Sequence, residues 1–146
     1  MTREKRREAT GIDYRLPGGK VFDTLAEYNQ FRDADNDEGI LIKAQATAMK
    51  EGKEEAGVHG GDILYLGISK AGSSVEWDLY YFLLTNPTLG EVILNAHENE
   101  IDDIVGTVLL SPQELFVKLT NNEIQEGRSA DMIWKWLARN GFVKCV

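Results

Sequence analysis

The chain has a single cysteine, Cys145. Without a second thiol it can form no internal disulfide, which excludes a disulfide framework and makes a reducing, cytoplasmic setting the expectation. It also lacks any apolar run approaching the ~20 residues of a membrane helix, so no membrane association is expected. The opening residues, Met1-Thr2-Arg3-Glu4-Lys5-Arg6-Arg7-Glu8, are charged where a secretory signal would be apolar. Positive charge is scarce: 16 Lys and Arg stand against 24 Asp and Glu, for a formal net charge of −8. Such a surface repels phosphate backbones and argues against double-stranded nucleic acid as a partner. A small phosphorylated substrate stays compatible, because a bound cation inverts the local field. The one basic concentration, Arg3, Lys5, Arg6 and Arg7, reads as a solvated tail over residues 1–11.

Internal repeats and low-complexity segments are absent too. What is present is the composition of one globular domain: 146 residues, 42% hydrophobic and 9% aromatic, enough to bury a core but short for two ordinary domains. That domain is expected over 12–146. Ile12 to Leu16 alternates apolar and polar and predicts a short strand, ended by Pro17-Gly18-Gly19, where proline removes a donor and glycine permits positive φ. Asp23 or Thr24 caps a helix to about Arg32, with Leu25, Tyr28 and Phe31 on one face. After a polar loop over 33–39, a long helix is predicted from Ile40 to Ala56. Its stripe comprises Ile40, Ala44 and Ala48, with Leu41 and Met49 beside it, and Gly57 is its left-handed cap.

Strands Asp62–Ser69 and Val75–Leu84 make an antiparallel hairpin, and a further strand is expected over Ile104–Leu110. Ser111-Pro112-Gln113-Glu114 carries a capping box with proline at the first helical position. Ser129 is read as the start of the last helix, with Met132, Ile133, Trp136 and Leu137 on its apolar face. The expected class is α/β, with a mixed sheet covered by helices.

The chemistry concentrates on the long helix. Glu51, Glu54 and Glu55 stand at i, i+3 and i+4, which brings three carboxylates onto one face. They lie near the helix C-terminus, where the macrodipole disfavours negative charge. A divalent cation would reverse this repulsion, since Mg²⁺ favours oxygen ligands and joins carboxylates to substrate phosphates. The competing reading is a solvated acidic face relieved by Lys50 and Lys53.

Here the chain resembles the Nudix hydrolase family. That family's signature runs from a glycine through a glutamate to Arg-Glu-apolar-x-Glu-Glu-x-Gly-apolar. Its second half is similar to Lys50-Glu51-Gly52-Lys53-Glu54-Glu55-Ala56-Gly57-Val58, and Leu16-Pro17-Gly18-Gly19-Lys20-Val21 looks like its entrance. The likeness spans about residues 12–143, through Leu110-Ser111-Pro112-Gln113-Glu114-Leu115 and Glu123-Ile124. Lys50 stands at the arginine position and Gly52 at an apolar one. The 30 residues from 20 to 49 separate the two halves, roughly twice the family interval. Ile42 falls where the first glutamate would stand, leaving Glu27, Glu38 or no residue for that role. The strands that precede the entrance in the family are expected to be short or missing.

The resemblance implies a Nudix-like mixed sheet sandwiched between helices. It also implies a Mg²⁺- or Mn²⁺-dependent pyrophosphohydrolase acting on a nucleoside diphosphate linked to another moiety, such as ADP-ribose or a related nucleotide. Glu51, Glu54 and Glu55 match the ligand positions, the carbonyl of Gly18 or Gly19 (Gly19 in the set adopted) adds an oxygen, and Glu54 and Glu55 are catalytic. A general base is sought in 96–103, where Glu98, Glu100 and Asp103 are candidates and Glu100 is taken. His97 and His59 read as loop residues. Trp77, Tyr80 and Tyr81 could stack on a base, but aromatics on a strand are more often core; Trp134 and Trp136 read as packing. The alternative function is a catalytically weak or inactive Nudix-like module that binds nucleotide or protein. Missing first strands would expose a sheet edge and apolar surface, and on that ground a homodimer is expected.

Overall fold

Thr2–Lys5 forms a strand, β1, although only Thr2 among its residues has the branched side chain that strands favour. The computed structural model describes residues 1–5, 12–33, 37–72, 75–91 and 104–143. In it β1 is the middle strand of a three-stranded antiparallel sheet, between β2 (Ile12–Arg15) and β7 (Ile104–Thr107). Thr2 is fully buried and its hydroxyl donates to the Arg15 carbonyl at 3.2 Å. The solvated-tail expectation is thus corrected for residues 2–5. Main-chain pairing on both edges takes the place of the apolar alternation that would have announced a strand. Two strands of four residues each precede Pro17, short but not missing. The ground for expecting a homodimer falls with that premise.

The chain divides into two compact units, one of residues 1–17 and 94–146, the other of 18–93. The first holds the three-stranded sheet and two helices, α3 (Pro112–Thr120) and α4 (Gly127–Arg139). Ile124, Ile133 and Leu137 are its buried centre, ringed by Tyr14, Leu16, Leu115, Phe116, Leu119 and Trp136. The capping box of α3 forms as its sequence predicts: the Ser111 hydroxyl accepts from the Glu114 N–H at 3.3 Å, and the Glu114 carboxylate accepts from the Ser111 N–H at 2.7 Å.

The last helix starts differently from expectation. Its cap is Glu126, whose carboxylate accepts from both the N–H (2.8 Å) and the hydroxyl (2.7 Å) of Ser129. Ser129 lies inside the first turn, buried, and its oxygen accepts from the Leu16 N–H at 3.1 Å. A contact more than a hundred residues distant in sequence therefore claims the residue that local rules would make a cap.

The second unit is built on α2 (Asp37–Ala56), preceded by α1 (Leu25–Asp33). Twenty residues make α2 about 30 Å long. Ile40, Ala44 and Gly52 are buried on it, one turn apart or two, with Ala48 between them half-buried. Gly57, at φ 65°, ends it with its N–H bonded to the Lys53 carbonyl at 3.2 Å. Thr24 is the residue that caps α1, accepting from the Glu27 N–H at 3.2 Å. The predicted face of α1 is corrected in part: Leu25 is exposed, and Phe22 takes its place beside Tyr28 and Phe31 in a ring cluster.

Strands β4 (Asp62–Gly72) and β5 (Val75–Thr85) form the predicted hairpin, and β3 (Val58–His59) pairs with β6 (Thr88–Leu89). Every described pairing is antiparallel. The chain is α/β in the general sense of helices with sheets, but the described strands form three small antiparallel sheets and not the one mixed sheet expected. For β1–β2 and β4–β5, which follow one another in the chain, antiparallel pairing pays little closure entropy, whereas a parallel pair needs a long crossover. Among the described residues, no helix is long and apolar enough to cross a membrane.

Candidate functional site

The carboxylate helix and the Pro-Gly-Gly element are far apart in sequence and adjacent in space. The Gly18 N–H donates to the Glu55 carboxylate at 3.1 Å across 37 positions of chain. Gly19 lies against Glu51. A Cβ built on Gly19 would fall 2.2 Å from Glu51 Oε1 and 2.5 Å from its Cδ, so an added side chain would displace that carboxylate. Gly19 is therefore glycine because a carboxylate occupies the space of its side chain. Neither Gly18 nor Gly19 adopts positive φ, so the conformational reason expected for this pair does not apply, and at Gly19 close approach takes its place.

The helix supplies its carboxylates from one half-buried face. The side chains of Glu51 and Glu54 are only 16% and 18% exposed, which a solvated acidic face would not produce. Lys50, 63% exposed, reaches over them: its ammonium lies 3.9 Å from Glu51 Oε1 and 3.5 Å from Glu54 Oε2. An ion pair this open contributes about 0.5 kcal/mol or less. Lys53 is exposed.

Hard oxygen donors such as these carboxylates fit a divalent cation of the Mg²⁺ class, and the Gly18-Gly19 main chain lies beside Glu51 and Glu55. Among the described residues no three Asp, Glu, His or Cys side chains converge closely enough to hold an ion alone. The donors to consider are thus one or two carboxylates, and Mg²⁺ ordinarily completes such a set with water and substrate phosphate.

The other sequence candidates lie elsewhere. Glu98, Glu100, Asp103, His97 and Cys145 fall outside the described residues. Glu27 pairs with Lys43 and accepts from the Asp23 N–H at 3.3 Å. Glu38 stands in the first turn of α2, about 20 Å along the helix from Glu51. Neither takes the place of the missing glutamate in the carboxylate group. His59 is half-buried on β3, its ring against Gly90.

The aromatic strand reads mostly as packing. Tyr80 and Phe82 share a face of the hairpin with Tyr65, with ring centroids 6.4 and 5.5 Å away, and Tyr81 is on the other face, its hydroxyl 3.3 Å from Ser69 Oγ. Burial, then the Asp78 carboxylate, pushes the Tyr80 phenol up, as for a packed ring. The Trp77 side chain lies outside the described residues. Trp136 packs on the core of its unit, and Trp134, 37% exposed, meets Phe116 edge-on.

Sequence reasoning missed Lys43 and Phe22. The Lys43 ammonium lies 4.4 Å from the Phe22 ring centroid and 5.2 Å from that of Phe31. The signal available was slight: a lysine on the long helix and an aromatic three residues after Gly19.

Comparison with protein-family models, with curated proteins and with solved structures returns no match.

Proposed function

We propose that this chain is a divalent-metal-dependent pyrophosphohydrolase of the Nudix type, acting on a nucleoside diphosphate linked to another moiety. The observation that carries the reading is the approach of Gly18-Gly19 to Glu51 and Glu55, the two halves of the resemblance meeting despite the 30 residues between them. One or two of Glu51, Glu54 and Glu55, together with the Gly19 carbonyl that the resemblance implies, would hold Mg²⁺ or Mn²⁺. The ion would neutralise the phosphate oxygens that gather charge as the bond breaks. Glu54 and Glu55 have the second task of accepting the proton of the attacking water. Water adds to one phosphorus, the bridging P–O bond breaks, and the leaving phosphate keeps the bridging oxygen. A net charge of −8 suits a small metal-bound substrate better than a polyanion.

One observation favours a module that binds without turnover. The Lys50 ammonium already serves as a cation for Glu51 and Glu54. A single experiment separates the two readings. The chain is incubated with Mg²⁺ or Mn²⁺ and a panel including ADP-ribose and nucleoside triphosphates, and phosphate products are assayed beside the Glu55→Gln variant. Metal-dependent turnover that the variant loses supports the enzyme. Saturable nucleotide binding with no product from any substrate supports the module.

A further inference from the structure

Residues 18–22 run along α2 in the direction opposite to the helix. Gly18 is bonded to Glu55, Gly19 abuts Glu51, and Phe22 covers Lys43. From Glu55 back to Lys43 the helix spans about 18 Å. Five residues bridge it with at most about 14 Å between their terminal Cα atoms, and the side chains of Phe22, Lys43 and Glu55 supply the remainder. Its Phe22 end is fastened by a cluster that the segment itself provides. Phe22 packs on Phe31 (5.3 Å between centroids) and on Tyr28 (5.6 Å), the Lys43 ammonium faces both phenylalanine rings, and Glu27 pairs with Lys43. The Lys43 hydrogen bond, then the Asp23 N–H, holds the Glu27 carboxyl below its ordinary range, so Glu27 keeps its charge for the pair.

We propose that Lys43 is a positioning residue: by clamping Phe22, Glu27 and Phe31 it fixes the far end of the strap and so holds the Gly18-Gly19 main chain against Glu51 and Glu55. Its consequence for metal affinity rests on the proposed function; the geometric claim does not. A cation that meets two aromatic rings as well as a carboxylate gains the attraction of the ring quadrupoles in addition to the ion pair. The clamp belongs to the segment that lengthens the interval between the two halves of the site. It gives that segment a task, which is to restore by contact the alignment that a shorter connection would impose by length.

The test follows the backbone amides of the full chain by ¹H–¹⁵N spectroscopy in Lys43→Met and Lys43→Arg. Methionine keeps the unbranched stem and removes the charge; arginine keeps a cation able to stack on both rings and pair with Glu27. Lys43→Met should move the Gly18 and Gly19 resonances, leave the β4–β5 hairpin unchanged, and weaken Mg²⁺ binding about tenfold. Lys43→Arg should restore the wild-type positions. Gly18 and Gly19 unmoved in Lys43→Met, or displaced as far in Lys43→Arg, overturns the proposal. Should Lys43→Met not fold, Glu27→Gln loosens the same clamp, and an unmoved Gly18 there overturns it equally. If Gly18 moves as expected while the wild-type chain neither binds Mg²⁺ nor hydrolyses any substrate, the functional reading fails and the positioning role stands.

Discussion

Replacing Gly19 with alanine adds one methyl group at the point where strap and carboxylate helix are closest. The new Cβ would lie 2.2 Å from Glu51 Oε1, 2.5 Å from Cδ and 3.0 Å from Cγ. Ordinary contact begins at 3.4 Å, so the carboxylate must withdraw by 3.4 − 2.2, or about 1.2 Å. Glutamate is flexible, and leaving its preferred rotamer costs about 0.5–1.5 kcal/mol, a small loss of stability. For the site the displacement is large, since a misplacement of about 1 Å can cost about 10²-fold in rate. The neighbouring residue supplies the control. A Cβ on Gly18 meets nothing within 4 Å, so Gly18→Ala should change stability by less than about 0.5 kcal/mol and leave the site intact. The assay is Mn²⁺ titration by calorimetry together with turnover, each variant checked by urea unfolding. Gly19→Ala should lose at least about tenfold in Mn²⁺ affinity and Gly18→Ala almost none. Equal behaviour of the two variants would falsify the claim that Gly19 is glycine to admit the Glu51 carboxylate.

Three further outcomes are expected. Glu54→Gln and Glu55→Gln should each lower turnover by about 10²–10⁴ with unchanged circular dichroism; persisting activity in the double substitution would remove this helix from the mechanism. Gly52→Ala should stabilise the protein by about 1 kcal/mol, because the position is helical, buried and open to a Cβ, and alanine is the better helix former; a lower urea midpoint at unchanged slope would show that the space is not there. Burial pushes the Glu126 carboxyl up, but the Ser129 hydroxyl, Arg128 and the Ser129 N–H outweigh it and hold it below its ordinary value of 4.5. A lowered folded pKa means stability that is present above 4.5 and lost as pH falls through the folded value. Urea midpoints from about pH 6 to about pH 3 should therefore fall more steeply for wild type than for Glu126→Gln, and parallel curves would contradict the assignment of this cap.

Local chemistry made much of the fold legible. Helix α2, its Gly57 terminus, the β4–β5 hairpin and the Ser111–Glu114 box depend on hydrogen bonds between residues a few positions apart, or on a side-chain period that any short window displays. The single face of Glu51, Glu54 and Glu55 is likewise a consequence of helix geometry. The sequence by itself could reach no further than elements and spacing.

Only the tertiary structure decided which distant residues meet. β1 has no apolar pattern and is a strand because two partners bond its main chain. Ser129 is no cap because Leu16 claims its oxygen. Glu27, one of the residues the resemblance left open for its first glutamate, is committed to Lys43. The three antiparallel sheets replace the expected mixed one through pairings that no single strand announces. Gly18 reaches Glu55, and Gly19 reaches Glu51, across a connection of more than thirty residues. Closing a loop of that length costs entropy that depends only weakly on its length, so spacing could neither forbid the encounter nor require it. The contacts at its two ends, a carboxylate on the Gly18 N–H and a lysine against two aromatic rings, are what select it.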